Sequence, residues 1–324
     1  QIISATANPF ISLFIGLLAT ATLQSSSTTT SLIVAAVAAG TIPLESAVPF
    51  VMGANVGTTV TSTIVAITHV VRAKEFRRAF AAATLHDLFN LLTTLVLFPL
   101  EYYFGLLSRL AAGCAALLQA PGAPVSRLPG LVDVLVRPLA DAVTALLAEQ
   151  ALLLVFVASA LLFFSIQQLS VVMRRVLIGE SRKRLNRYVF GSDLKALLWG
   201  TGLTAGVQSS SVMSSLLVPL VATGKVTLQR AFPFLIGANV GTTFTAVLAA
   251  LAQSGPALSI ALAHVLFNLI GALLFFPLPA VRRWPVSLAE ALAHLNDRSR
   301  IIGFLYLMAL FFLMPFLLIY TATR

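Results

Sequence analysis

The chain has 324 residues, 58% hydrophobic and only 10% charged, with a mean hydropathy of +0.96. Soluble globular proteins carry about 25% charged residues, so a water-soluble enzyme is excluded. The net charge of +10 does not point to nucleic acid, because the basic residues stand between apolar runs of membrane-spanning length rather than beside polar surface.

In chain order the apolar segments are 9–39, 42–70, 79–100, 150–173, 194–222, 228–252, 257–280 and 301–321. An internal repeat organises them. Gln24-Ser25-Ser26-Ser27 recurs as Gln208-Ser209-Ser210-Ser211, a shift of 184 residues. The same shift carries Gly16 onto Gly200, Thr20 onto Thr204, Gly40 onto Gly224, and Gly53-Ala54-Asn55-Val56-Gly57-Thr58-Thr59 onto Gly237-Ala238-Asn239-Val240-Gly241-Thr242-Thr243. After a six-residue contraction, His86-x-x-Phe89-Asn90-Leu91 maps onto His264-x-x-Phe267-Asn268-Leu269. The Gln-Ser runs and the Gly-Asn-Thr runs are poor in helix formers, so four segments are expected to break there. Broken backbone at membrane depth is tolerated only inside protein or along a cavity.

Sixteen of the 21 basic residues fall in five loops: Arg72 to Arg78, Arg174 to Arg187, Lys225 to Arg230, Arg282 with Arg283, and Arg298 with Arg300. The positive-inside rule places these loops in the cytoplasm and leaves 40–45, 252–256 and the connector 101–149 outside. Segment 194–222 then begins and ends inside, as a re-entrant hairpin, and the matching loops of the first half have the opposite charge character. The expected fold is an all-α integral membrane protein with inverted-topology repeats, each holding a re-entrant helical hairpin and a broken transmembrane helix. Residues 1–100 form the first repeat and 101–149 the outer connector. Residues 150–193 hold a linking transmembrane helix and a basic loop, 194–280 the second repeat, and 281–324 a cytoplasmic segment with a C-terminal transmembrane helix. One further N-terminal helix is expected in the full-length protein. In the connector, 104–120 and 131–147 read as interfacial helices, with a short spanning hairpin as the alternative.

A broken helix exposes free N–H groups at the start of its second half, which with hydroxyls makes an anion site without a cation. The stretches Ser26 to Thr30 and Thr58 to Thr61 start such halves. Carbonyls ending the first halves, with Gln, Asn, Ser and Thr oxygens, suit sodium. No Lys or Arg lies in the four broken stretches, so a desolvated anion needs a co-bound cation. Proton coupling would call for duplicated buried carboxylates, yet Asp87 pairs with Val265 in the repeat and reads as a salt-bridge or interfacial residue. His86 with Asn90 and His264 with Asn268, at i, i+4, read as interhelical bonds. A serine nucleophile with His86 and Asp87 fails, because adjacent helical residues point about 100° apart and the serine run lacks nucleophile-elbow glycines.

These motifs resemble the type II sodium-phosphate cotransporter family, including its bacterial members: two QSSS runs in inverted repeats, each followed about 30 residues on by GANVGTT, over most of residues 8–280. The resemblance implies a sodium-driven phosphate symporter and no enzyme, with sodium as co-transported ion, no organic cofactor, and inorganic phosphate, sodium and the bilayer as its partners. Phosphate then falls to Ser25, Ser26, Ser27, Ser209, Ser210, Ser211, Asn55, Asn239, Thr58 and Thr242. Sodium falls to Gln24, Gln208, Thr28, Thr59, Thr243, Asn55 and Asn239. The resemblance also implies a multi-pass protein of a bacterial inner membrane, with a homodimer left open. The lone Cys114 stands where animal members carry a disulfide-bearing loop. A phosphate exporter, a carrier of another oxyanion and a non-transporting phosphate sensor are the alternatives.

Overall fold

The computed structural model describes residues 8–118, 137–146, 180–251, 255–296 and 301–322, with single positions 150, 153, 157 and 299. Every regular element among them is a helix. The first repeat holds α1 (Pro9–Leu23), α2 (Ser26–Ala38), α3 (Leu44–Gly57), α4 (Val60–Ile67) and α5 (Ala73–Phe104). Next come α6 (Leu106–Leu118), α7 (Arg137–Leu146) and α8 (Glu180–Tyr188). The second repeat holds α9 (Asp193–Val207), α10 (Ser210–Ala222), α11 (Leu228–Leu251) and α12 (Gly255–Phe275), followed by α13 (Pro279–Leu295) and α14 (Ile301–Ala322, with a π-turn at Ala309–Leu313). Nearly all of the expected spanning helix 150–173, residues 131–136 and 147 of the second connector stretch, and the basic residues Arg174, Arg175, Arg298 and Arg300 lie outside the described residues.

Four helices among the described residues are long and apolar enough to cross a membrane: Leu44–Ile67, Ala73–Phe104, Gly255–Phe275 and Ile301–Ala322. The protein is an all-α integral membrane protein. α5 is longer than the expected 79–100; at 1.5 Å per residue its 32 residues reach about 48 Å, well past a hydrocarbon core of about 30 Å.

The repeat seen in the sequence is repeated in the packing. A Cβ added at Gly53 would lie 1.8 Å from the Leu13 carbonyl oxygen, and one at Gly237 2.1 Å from that of Leu197, its counterpart. Gly57 meets Leu17 and Thr20 as Gly241 meets Thr201 and Thr204. The glycines of GANVG therefore seat α3 on α1 and α11 on α9 at backbone contact, as small residues do between membrane helices.

That packing corrects the expected broken helices. α11 runs from Leu228 to Leu251 straight through Gly237–Thr243. In the first copy Thr58 and Thr59 keep right-handed helical dihedrals and the ladder only tightens: Thr58 N–H reaches Ala54 O at 3.1 Å, while Thr59 N–H reaches Val56 O at 3.3 Å, an i−3 bond. Thr58 Oγ1 donates to Ala54 O and Thr59 Oγ1 to Val56 O, both at 2.8 Å, and Thr243 Oγ1 to Val240 O at 2.7 Å. The hydroxyls thus occupy carbonyls that unwinding would have freed.

Three basic loops, at Arg72 to Arg78, Lys225 to Arg230 and Arg282 with Arg283, gather at one end of α5. Arg78 lies against the turn at Gly224, and Arg282 pairs with Asp193 at 2.8 Å. At the other end Phe98 meets Phe10 with ring centroids 6.3 Å apart, and Ile42, Leu44, Leu106 and Ala257 share one apolar cluster. Hairpin α1–α2 therefore opens beside the C-terminal end of α5 and hairpin α9–α10 beside its N-terminal end. α6 is tied to α5 by Glu101, whose Oε2 accepts from Leu107 N–H at 2.6 Å and whose Oε1 accepts from the Ser108 hydroxyl.

Candidate functional site in the paired serine turns

Each hairpin reverses on a glutamine. Gln24 has φ 53° and Gln208 has φ 61°, and they are the two non-glycine residues at positive φ among the described residues. A left-handed residue of this kind costs of order 1–3 kcal/mol and persists where the surroundings over-determine it. Here Gln24 N–H bonds Thr20 O at 2.7 Å and Gln208 N–H bonds Thr204 O at 2.6 Å, closing α1 and α9. The next residue caps the following helix: Ser25 Oγ accepts from Thr28 N–H at 3.2 Å, and Ser209 Oγ from Val212 N–H at 3.3 Å. Two helix N-termini, those of α2 and α10, thus emerge from strained serine turns. Ser26 and Ser210 are buried, and Gln24, Ser25, Ser27, Gln208 and Ser209 are half-buried. Thr28 is exposed, with its hydroxyl 2.8 Å from Ser25 Oγ.

The second arm of each hairpin packs on the other repeat: α2 on α11 and α12, α10 on α4 and α5. At that seam Ser211 Oγ reaches Thr58 O at 3.5 Å and the Ser62 and Ser214 hydroxyls meet at 2.8 Å, while within the second repeat Ser210 N–H donates to Thr242 Oγ1 at 3.2 Å. The structure so brings Ser210 and Ser211 together with Thr58 and Thr242. Among the described residues no hydrogen bond joins the first turn, Ser25 to Ser27, to the second.

The two asparagines have a different employment. Asn239 Oδ1 accepts from His86 Nε2 at 2.8 Å, and Asn239 Nδ2 donates to Asn90 Oδ1 at 2.8 Å. In the mirrored half Asn55 Oδ1 accepts from His264 Nε2 at 3.1 Å and from Asn268 Nδ2 at 3.2 Å, while its own Nδ2 donates to Val51 O at 2.9 Å. Histidine of one repeat binds asparagine of the other, reciprocally, as across a two-fold axis. Asn55 and Asn239 are therefore spent on bracing the repeats in this arrangement, and the histidines are the interhelical bonds the spacing implies.

Asp87 corrects its expected role. It is fully buried, has no ion pair among the described residues, and its Oδ2 accepts from Tyr306 O–H at 2.9 Å and from Thr63 Oγ1 at 3.4 Å, with Thr59 beside it. Tyr306 comes from α14, which thereby packs over the Asp87 carboxylate. A buried carboxylate without a counter-charge is costly and marks a cation or proton site.

Two further residues escaped the motif reading. Thr20 and Thr204 are fully buried and their hydroxyls have no partner among the described residues. They sit one turn before the left-handed glutamines, against Gly57 and Gly241. A buried hydroxyl left unpaired costs about 1–3 kcal/mol, and finding it twice at repeat-related positions makes a shared packing accident a poor explanation. The signal was present in the sequence as the Thr20–Thr204 match beside each QSSS.

Comparison with known proteins agrees. The family model described as Na+/Pi-cotransporter matches residues 1–116 and 161–294. Sodium-dependent phosphate transport protein 2A of Rattus norvegicus is 32% identical over 95% of this chain and 60% of its own length. The 2A protein of Oryctolagus cuniculus is 34% identical over 95% and 60%, and the 2B protein of Homo sapiens 30% identical over 96% and 59%. The chain thus spans about three-fifths of the length of these relatives. No solved structure matches it significantly. With the family model covering most of the chain and the duplicated serine turns in place, this chain belongs to the Na+/Pi-cotransporter family.

Proposed function

We propose that the protein is a sodium-coupled inorganic phosphate symporter of a cell membrane, bacterial inner membrane included, working by alternating access between inverted repeats. The observation that carries the reading is the duplicated turn: a strained glutamine followed by a serine cap opens a helix N-terminus in both repeats. Hydroxyls and N–H groups there suit a tetrahedral oxyanion. Phosphate is held by Ser25, Ser26, Ser27, Ser209, Ser210 and Ser211 with Thr58 and Thr242. Asn55 and Asn239 position the long helices that carry those threonines. The opposed mouths of the two hairpins support the inverted arrangement, and the relatives' names, sodium-dependent phosphate transport proteins, support both solutes.

Sodium is held by carbonyl and hydroxyl oxygens around Gln24, Gln208, Thr28, Thr59 and Thr243. Asp87, against Thr59 and Thr63, supplies a negative charge that the sequence motifs alone do not. Proteoliposomes given an inward sodium gradient accumulate labelled phosphate; equal accumulation with potassium in place of sodium rejects the coupling.

A further inference from the structure

A cavity of about 340 Å³ lies at the basic end of the molecule, far from the serine turns. Its walls come from the first turns of α5, the turn between α10 and α11, and the end of α13; Arg77 and Arg78 face Thr227, Gln229, Glu290 and His294 across it. Arg78, Thr227, Gln229, Glu290 and His294 are exposed and Arg77 half-buried, so the cavity opens to the surface.

Arg78 is placed by a glycine. Gly224 has φ +69°, and a Cβ added there would lie 2.8 Å from Arg78 Nη1, so the guanidinium rests on the bare turn. The repeat-related turn at Gly40 has the same φ of +69° and nothing within 4 Å. Arg77 and Arg78 map onto Gly255 and Pro256. The arginine-filled turn is thus an addition made to one repeat. Positive-inside topology accounts for charge on this face but requires no cavity and no arginine against a glycine.

The neighbouring wall is an anion receptor in outline. Leu228 and Gln229 begin α11, with Arg230 N–H and Ala231 N–H bonded back to Thr227 O, so the first N–H groups of a 24-residue helix point out of the ladder beside the guanidinium. Glu290 is drawn aside, its Oε1 accepting from Gln229 Nε2 at 3.1 Å. α13, which supplies Glu290 and His294, exposes Trp284, Leu288 and Leu295, the apolar face of a helix lying at a bilayer surface.

We propose that this cavity binds a phosphate group, of a phospholipid headgroup or of free phosphate, on Arg78, Arg77 and the N-terminus of α11, as a second site separate from the transport path. The anion clamps α5 to the turn joining α10 and α11, and so stabilises one setting of the second hairpin.

The test uses the full chain in phosphatidylcholine nanodiscs in phosphate-free buffer, read by thermal unfolding midpoint. In one arm a third of the lipid is phosphatidylglycerol; in the other, inorganic phosphate is added to a Ser26→Ala/Ser210→Ala background that removes the proposed transport site. The midpoint rises in the lipid arm for a headgroup, in the phosphate arm for free phosphate. Arg78→Gln weakens the responding anion by at least about tenfold, and Glu290→Gln strengthens it. No rise in either arm, or an undiminished rise in Arg78→Gln, overturns the proposal. If Arg78→Gln lowers the midpoint before any anion is added, Glu290→Gln decides alone, and an unchanged response there overturns it.

Discussion

The two repeats share a frame but not a chemistry. In both, glycines seat the long helix on the first hairpin arm, a left-handed glutamine turns the chain, and a histidine reaches across to the partner's asparagine. In the first, the long helix tightens at Thr58–Thr59 and Asp87 sits beside Thr59 and Thr63. In the second, the helix is continuous, and the sequence has Ala246, Val247 and Val265 where the first repeat has Ser62, Thr63 and Asp87. Packing was kept symmetric while the buried carboxylate with its hydroxyl neighbours belongs to one side. An ion pathway built on Asp87 is therefore single even though the serine turn is duplicated.

The largest expected effect erases the common frame. Gly53→Val and Gly237→Val each drive a side chain into a backbone carbonyl, and each costs more than about 4 kcal/mol; size-exclusion profiles show no monodisperse protein from either. Next, Asp87→Asn separates the halves. It weakens the sodium dependence of phosphate binding by at least about tenfold, whereas Val265→Thr leaves it unchanged; equal effects would dissolve the asymmetry. Third, His86→Phe lowers thermal stability by about 1–3 kcal/mol through an unpaired Asn239 oxygen, and His264→Phe by less, because Asn55 Oδ1 keeps its bond from Asn268.

Smaller again is Thr59→Val, at about 1 kcal/mol. It disturbs sodium dependence more strongly than Thr243→Val, which costs similar stability, because of the two threonines Thr59 alone has Asp87 beside it. The smallest effect lies in the turn after α4. Burial lowers the His69 pKa below its ordinary 6.5, partly offset by Glu75. The unfolded chain therefore takes up the proton first, and stability falls as pH drops below about 6.5. His69→Gln flattens that acid limb in a pH series of unfolding midpoints.

Sequence identity at two fixed shifts was enough to reveal the repeat, the hairpins and the serine turns, because repeat-related residues must meet repeat-related environments. The long helices were misjudged at GANVGTT. Low helix propensity of Gly, Asn and Thr is local, and it was overridden by the contacts of Gly237 and Gly241 with α9 and by threonine hydroxyls bonding back into the ladder. Asp87 was misjudged for a different reason. Its environment is set by Tyr306, 219 residues away in sequence, and no local pattern announces that α14 will close over it. Thr20 and Thr204 were matched in the alignment of the repeats, but only burial shows that their hydroxyls lack partners.

The central claim is that the two serine turns form one phosphate site. Sodium-driven uptake of labelled phosphate, measured in proteoliposomes for Ser26→Ala and Ser210→Ala separately, tests it. The account predicts that either substitution abolishes uptake while the protein remains folded; near-normal uptake by one of them would show that a single turn suffices and would contradict the shared site.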